Sequence, residues 1–413
     1  MPDWAIPLLY SVAAVAAAIA LPRIEHRFLP GFTSEMSAPA AMAIYTSVGS
    51  GMLALTGIVF ALAFVMVQFS ATAYSPRLVL WISRDPVIWH AIGVFTATFL
   101  YAIGAIAWVD RNGSGKVPFL SVWVIFGLLL ASVAMFVTLI QRIGLLQINR
   151  MLTFTGDLGR QVVEATYPRL DTAIALDRSE ALPSLLVTQT LIHTGPPQAL
   201  QALDQRALLT LGAQSGGIVQ VVPAIGDTLV EGTVLLRVLG GRQLVDKDAW
   251  KKTFETGEER TFEQDPKYAI RLLVDIAIRA LSPAINDPTT AVQALDQIED
   301  LLLRLGSRRL EIGAVRDGAG ALRLVIPHPT WEDFLRLAFD EIRFCGATSI
   351  QVMRRMKALV SDLIEALPEE RHEALERHRN RLDSTIARSF ADPEEQSEAA
   401  VEDRQGLGVP RSH

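Results

Sequence analysis

The sequence predicts an α-helical membrane region of four transmembrane helices followed by an α+β soluble domain. Two observations carry this prediction. Residues 1–141 contain 11 of the 82 charged side chains, whereas the other 272 residues contain 71. The chain is also 50% hydrophobic, with a mean hydropathy of +0.30, which is more apolar than an ordinary soluble domain. We therefore assign residues 1–144 to the membrane region and residues 145–390 to the soluble domain.

Four uncharged stretches are long enough to cross the hydrocarbon core, which is ~30 Å thick. A cleaved signal peptide is the alternative for the first stretch, although no basic residue precedes it and further apolar segments follow. A short polar loop joins the third and fourth stretches, which makes them antiparallel neighbours. The predicted spans are residues 4–22, 41–69, 89–109 and 117–141.

The second predicted helix carries a seam of small and polar side chains. Its members recur at alternating steps of three and four residues, which keeps them on one helical face. Phe64 is the large residue that interrupts them. The seam consists of Ala43, Ser47, Ser50, Ala54, Gly57, Ala61 and Gln68.

Two interpretations of the seam are open. Helices in lipid associate through small residues and side-chain hydrogen bonds, so the seam predicts close helix packing. Alternatively, the hydroxyls of Ser47 and Ser50 and the amide of Gln68 line a water-filled path at the centre of an oligomer. Because the seam contains no charged residue, such a pore would be weakly selective.

The second helix is predicted to stop near Pro76, and Arg77 follows that proline. A short apolar segment with Trp81 comes next and indicates a stretch at the bilayer interface. We expect Arg77 to contact lipid phosphates, with ligand binding as the alternative.

A strand-rich module is predicted at about residues 205–240. Apolar and polar residues alternate from 215 to 222, and Gly-Asp and Glu-Gly turns separate β-branched runs from 224 to 238. This segment is similar to the small β-barrel-sandwich of biotinyl and lipoyl carriers and of transporter adaptor proteins. It lacks the modifiable hairpin lysine of the carriers, so no swinging-arm cofactor is expected.

The helical part at residues 250–305 holds the most distinctive pattern. The spacing of Arg271, Asp275 and Arg279 lets the carboxylate pair with either guanidinium. A break follows, where Asp287 is predicted to cap the next helix. Contact with an anion or another subunit is the alternative to a purely structural cap. The candidate contact residues are Arg77, Arg271, Asp275, Arg279, Asn286, Asp287, Thr289 and Thr290.

Residues 68–77, and above all residues 270–291, carry a resemblance to a known family. The second run reads Ile-Arg-Leu-Leu-Val-Asp-Ile-Ala, continues through Arg-Ala-Leu-Ser-Pro-Ala-Ile-Asn, and ends in Asp-Pro-Thr-Thr-Ala. It resembles bacterial predicted membrane proteins grouped as domain of unknown function 2254. The resemblance spans about residues 10–390 and implies an N-terminal membrane region with a soluble C-terminal half. It implies no established activity. Ala284 stands where glycine is expected, which affects the geometry of the turn.

The rest of the soluble domain is predicted from turn and helix signals. Two strand-like runs flank Asp317 and predict a hairpin at residues 310–326, and three amphipathic helices are expected at residues 331–386. The tail at residues 391–413 is acidic and is expected to be disordered.

Four crossings place both ends of the membrane region on one side of the bilayer. The large charged domain that follows favours the cytoplasmic side. Loop arginines follow both the first and the second span, so they do not by themselves decide the orientation. We expect a multi-pass protein of the bacterial inner membrane with a cytoplasmic soluble domain.

Several function classes are disfavoured by the sequence. The soluble half has a net charge of −7, which makes nucleic acid an unsuitable partner. With Cys345 as its single cysteine, the chain cannot form an intramolecular disulfide or a cysteine-rich zinc site. No catalytic motif stands in a convincing context, so we expect no enzyme activity, cofactor or metal.

Two functions remain. The first is a homo-oligomeric ion channel or pore, with a cytoplasmic domain that assembles and gates it. The alternative is a membrane-anchored sensor or scaffold whose soluble domain binds a small ligand or a protein. The lipid bilayer is a partner in both, and the sequence does not identify the ion or ligand. A transporter is disfavoured because the spans contain no acid or base except His90.

Overall fold

A computed structural model describes residues 4–28, 34–73, 86–111, 116–144, 148–170 and 184–408. They form two compact units, Met1–Gln147 and Ile148–His413. The first unit contains four apolar helices long enough to cross a membrane, and the second combines helices with two sheets. The predicted fold class is thereby confirmed. The helices of the membrane unit are α1 Ala5–Phe28, α2 Ala38–Ala73, α3 Pro86–Ile106 and α4 Phe119–Gly144.

Helix α3 lies at the centre of the membrane unit, where it contacts α1, α2 and α4. Half of the residues in its most apolar stretch are buried, compared with 17–22% in the other three helices. A Cβ atom on Gly93 would lie only 2.7 Å from the Tyr10 ring, so glycine is what allows this approach of α1. Small residues permit such close packing in lipid, where apolar burial alone drives no association. Small buried residues of α3 are Ala91, Ala97, Ala102 and Ala105.

The helix directions follow from pairs of contacts. Tyr10 lies beside Gly93, and Ala18 lies beside Gly104 farther along both helices, so α1 and α3 run in the same direction. Helix α4 runs antiparallel to α3, as its short connection predicts. A buried hydrogen bond of 3.0 Å between the hydroxyls of Thr98 and Ser132 joins these two helices.

Glu25 is a buried acid near the end of α1, with 7% of its surface exposed. Its carboxylate accepts hydrogen bonds from the backbone N–H groups of Phe119 at 2.6 Å and Leu120 at 2.8 Å. These are N–H groups at the start of α4, which have no partner within the helix. Negative charge is also favourable at a helix N-terminus. Glu25 therefore caps α4 from another helix of the same unit.

The second unit begins with α5 Ile148–Thr166 and continues into a β-rich module. The elements of this module are β1 Val187–Ile192, β2 Gln198–Leu203, α6 Gln205–Ser215, β3 Ile218–Val221, β4 Thr228–Leu229, β5 Val234–Leu239, α7 Lys247–Lys251, β6 Phe254–Gly257, β7 Ala314–Arg316 and β8 Leu322–Val325. Its five-stranded sheet has the order β1-β5-β3-β8-β7, and its three-stranded sheet has the order β4-β2-β6.

This module is larger than the predicted segment at residues 205–240, and residues 205–215 are helical. The β7–β8 hairpin joins it because β8 pairs in parallel with β3, with Val219 opposite Leu324. Both sheets contribute to one core around Trp250, which is fully buried. A parallel pairing between strands about 100 residues apart has no local sequence signal.

The remaining helices of this unit are α8 Pro266–Ala280, α9 Pro288–Gly306, α10 Trp331–Cys345, α11 Ile350–Ala366, α12 His372–Ser389 and α13 Pro393–Ala399. Helix α9 is central, because it contacts α5, α8, α10 and α11. Arg160 of α5 lies 2.8 Å from Asp300 of α9, and Arg304 of α9 lies 2.6 Å from Glu164 of α5. These pairs join α5, which follows the membrane unit in sequence, to α9.

A buried ion-pair network joins α11 to α9. Arg355 of α11 is 3% exposed and donates to Asp296 at 2.9 Å and to Glu299. Burial raises the pKa of Glu299, and the adjacent Arg355 acts against that increase. The guanidinium thus offsets the cost of placing the Glu299 carboxylate between two helices.

The prediction of a disordered tail at residues 391–413 is wrong for residues 391–408. This segment forms α13 and then packs on α11. Arg404 donates to the buried Asp362 at 2.8 Å, and Glu402 accepts a hydrogen bond from Ser361 at 2.6 Å. The acidic composition suggested a solvated tail, but α11 supplies polar partners that the composition alone does not reveal. Residues 409–413 lie outside the described part.

Replacement of Glu25 by alanine is expected to lower the free energy of unfolding of the membrane unit by about 3 kcal/mol, because two backbone N–H groups lose a charged acceptor. Glu25→Gln retains one acceptor oxygen and should lower the free energy of unfolding by about half as much. Thermal unfolding of the detergent-solubilised protein measures both effects. An alanine variant as stable as wild type would contradict the capping role.

Arg355→Met is expected to lower the free energy of unfolding by about 3 kcal/mol, since it removes the guanidinium that pairs with Glu299. The raised pKa of Glu299 should rise further in this variant. A raised folded-state pKa means that stability is lost as pH rises, so the deficit should be larger at pH 8 than at pH 5. Urea titrations at both pH values test this. Arg379→Met, which removes an exposed ion pair, is the control. Its free energy of unfolding should fall by less than about 1 kcal/mol.

Candidate functional site

Helix α2 presents two opposite faces. One face packs against the rest of the membrane unit through Ala41, Tyr45, Gly49, Met52 and Val59, all of which are buried. At 100° per residue, the seam lies about 180° from this face around the helix axis. Its described side chains are all exposed, namely Ala43, Ser47, Ser50, Ala54, Gly57 and Ala61.

The exposure of the seam rules out one version of the packing interpretation. Within the described residues, no other helix of the same chain covers these side chains, and a Cβ atom on Gly57 would meet nothing within 4 Å. The seam therefore faces lipid or another molecule. Gln68 lies in helix α2, but its side chain is outside the described residues, and Arg77 is also outside them.

The charged residues of α8 form a cluster that the sequence predicted in part. Arg271 donates to Asp275 at 2.8 Å, as the four-residue spacing predicts. It also donates to Glu341 of α10 at 2.8 Å. The hydrogen bonds from Arg271 lower the pKa of Glu341, and the Glu341 and Asp275 carboxylates raise the pKa of Arg271. Arg279 follows one turn after Asp275 on the same helix.

Glu341 is the member of this cluster that sequence reasoning missed. It lies 70 residues from Arg271, and only the packing of α10 against α8 brings the two together. Arg271 is held between two carboxylates and is 19% exposed, so its charge is already matched within the chain. The geometry therefore supports a clamp between α8 and α10 more directly than an anion site.

The turn between α8 and α9 is tightly hydrogen-bonded. Asp287 accepts from the backbone N–H of Thr290 at 3.1 Å and from its hydroxyl at 2.6 Å, which is the predicted N-cap. Asn286 adopts a φ of 49°, a left-handed conformation that asparagine tolerates better than most residues. Thr289 is exposed, whereas Thr290 is buried. The Asp287 carboxylate thus occupies the position that an external anion would take.

The Arg271 cluster and the α8–α9 turn do not form one site. Arg271 precedes the turn by about ten residues, which corresponds to about 15 Å along a helix. The turn instead lies next to the end of α10, because Gly346 approaches Leu281. Two exposed apolar residues belong to these segments, Ile285 at 43% and Phe344 at 79% exposure. Both side chains are therefore open to solvent or to another molecule.

Among the described residues, no group of three His, Cys, Asp or Glu side chains is placed to hold a metal ion. The described contacts at the clamp and the turn are ion pairs and hydrogen bonds.

Comparisons with known proteins agree with this architecture. The family described as Predicted membrane protein (DUF2254) matches residues 3–362. Uncharacterized proteins of Mycobacterium bovis and of two strains of Mycobacterium tuberculosis are 28% identical over 331 residues. Each match covers 78% of this chain and 63% of the relative, so the chain spans less than two thirds of the length of these relatives. No solved structure matches the chain at a significant level.

The family match includes all four candidate membrane helices and the Arg271 and Asp287 motifs. On that basis, the chain belongs to the Predicted membrane protein (DUF2254) family.

Proposed function

We propose that this membrane protein forms a homo-oligomer in which the exposed seams of α2 converge on an ion-conducting pore. In this proposal, the soluble unit lies in the cytoplasm and assembles and gates the pore. The observation that carries the proposal is the position of the seam, opposite the face with which α2 packs in its own chain.

The composition of the seam supports contact between protein chains. Glycine within a helix costs ~1 kcal/mol relative to alanine, and an isolated lipid-facing glycine offers no packing in return. Gly57 is such a residue in the single chain, since nothing lies near it. Close approach of a second backbone would offset that cost.

The polar members of the seam support a path for ions. The exposed Ser47 and Ser50 lie one turn apart on the outward face of α2. Hydroxyl groups facing a shared axis can replace part of the hydration shell of an ion. Helix α2 contains no charged residue, so the proposed pore has no charged ring from α2 and discriminates weakly between ions.

A second candidate function is a membrane-anchored sensor or scaffold. The exposed Ile285 of the α8–α9 turn and the exposed Phe344 near the end of α10 are its candidate contact residues, since α10 ends next to this turn. In that case the seam would only pack helices of neighbouring subunits, and the soluble unit would bind a protein partner or a ligand.

Replacement of Gly57 by leucine is expected to reduce ion flux from loaded liposomes at least about tenfold, because each subunit adds a bulky side chain to the seam. The wild-type protein should form an oligomer of four or more subunits by native mass spectrometry in nanodiscs. The same sample should release entrapped ions.

Gly51→Leu is the matched control. Gly51 is also exposed, also has nothing within 4 Å, and lies about 120° from Gly57 around the helix axis. Its variant should retain wild-type flux. A wild-type monomer or dimer that leaves liposomes tight would contradict the pore and favour the sensor or scaffold.

The scaffold predicts a specific crosslink at Phe344. A photoreactive residue at position 344 should give a discrete crosslinked product in membranes, and Thr289→Ala should weaken it without loss of the Asp287 cap. The same residue at Leu244 is the control, since Leu244 is equally exposed at 79% but belongs to the β-rich module. Equal crosslinking at both positions would argue against a defined surface.

A further inference from the structure

A groove of about 790 Å³ opens on the membrane unit at the start of helices α2 and α4. One wall is the short segment that precedes α2, and the other is one face of α4. Its residues on α4 follow a spacing of three and four, which places them on a single helical face. The lining consists of Ser34, Glu35, Met36, Phe119, Val122, Trp123 and Phe126.

The groove is apolar along α4 and polar at its entrance. Trp123 is 62% exposed and Phe126 is 41% exposed, so these two side chains of the α4 wall are not covered by the rest of the chain, whereas Val122 is buried. Among the described residues of the lining, Glu35 is the one with a charged side chain. Within the part of the chain that the structure describes, no side chain or backbone group pairs with its carboxylate.

The groove lies beside the ends of two candidate membrane spans. Two candidate spans, Ala38–Leu62 and Phe119–Gln141, begin beside it, so it opens at the boundary between the hydrocarbon core and the headgroups. Tryptophan is favoured at this depth because its ring is amphipathic. A volume in the range of ~300–1,000 Å³ is typical of sites for small ligands.

We propose that this groove binds a phospholipid whose headgroup carries a primary ammonium, as in phosphatidylethanolamine. The acyl chain packs along Phe119, Val122, Trp123 and Phe126, and the ammonium pairs with the Glu35 carboxylate. Phosphatidylglycerol carries the same phosphate charge but no ammonium that could pair with Glu35, so the site discriminates against it. The proposal does not depend on the formation of a pore.

Native mass spectrometry of the full-length protein tests the preference. The protein is incubated with equal amounts of phosphatidylethanolamine and phosphatidylglycerol that have identical acyl chains. Wild type should retain the ethanolamine lipid with about fivefold preference, the ratio expected of one partly exposed ion pair. Glu35→Gln should abolish the preference, and Glu35→Lys should invert it.

Ala40→Lys is the matched control for net charge. It raises the charge by one, as Glu35→Gln does, but Ala40 is an exposed residue of α2 outside the groove. Its preference should remain that of wild type. Equal retention of both lipids by wild type, or a loss of preference in Ala40→Lys equal to that in Glu35→Gln, would overturn the proposal.

Fluorescence quenching locates the lipid independently. Lipids with brominated acyl chains should quench Trp123 more strongly when their headgroup is ethanolamine than when it is glycerol. The Trp123 signal is obtained as the difference between wild type and Trp123→Phe. Equal quenching by the two brominated lipids would show that Trp123 senses only the general bilayer, and the proposal would fail.

Discussion

The close packing of α3 against α1, α2 and α4 is the constraint on which the membrane unit depends. In lipid there is no hydrophobic driving force between helices, so association depends on the close packing that small side chains permit and on hydrogen bonds. Gly93 and the buried alanines of α3 supply the first, and the Thr98–Ser132 pair supplies the second. Once α2 uses one face for this packing, its opposite face is left uncovered.

The position of this uncovered face narrows the interpretations of the α2 seam. On sequence alone, small residues at helical spacing are equally compatible with packing inside one chain and between chains. Ser47, Ser50 and Gly57 lie opposite the packed face, so they are available to lipid or to another copy of the chain. Both the pore and the helix-packing form of the scaffold require this arrangement, and they differ in whether water enters between the helices.

The soluble unit has a corresponding centre in α9. Buried residues of α9 pack against neighbouring helices, while its acids receive Arg160 from α5 and Arg355 from α11. The distinctive Asp287 motif starts this helix and caps it. The motif and the Arg271 clamp are therefore explained first by the need to fix α8, α9 and α10. Packing within the chain does not account for the exposed Phe344 and Ile285, and these two residues motivate the proposed contact surface.

Local sequence patterns were sufficient to predict the four apolar helices, the α+β character of the soluble unit, the Arg271–Asp275 pair and the Asp287 cap. Each depends on residues within a few positions of one another, where periodicity and capping rules apply. Four further contacts became visible in the folded chain: Glu25 caps α4, Glu341 completes the Arg271 cluster, β8 joins β3, and the tail folds onto α11. These contacts join residues 40 to more than 100 positions apart, and their energies depend on distances that no local pattern encodes.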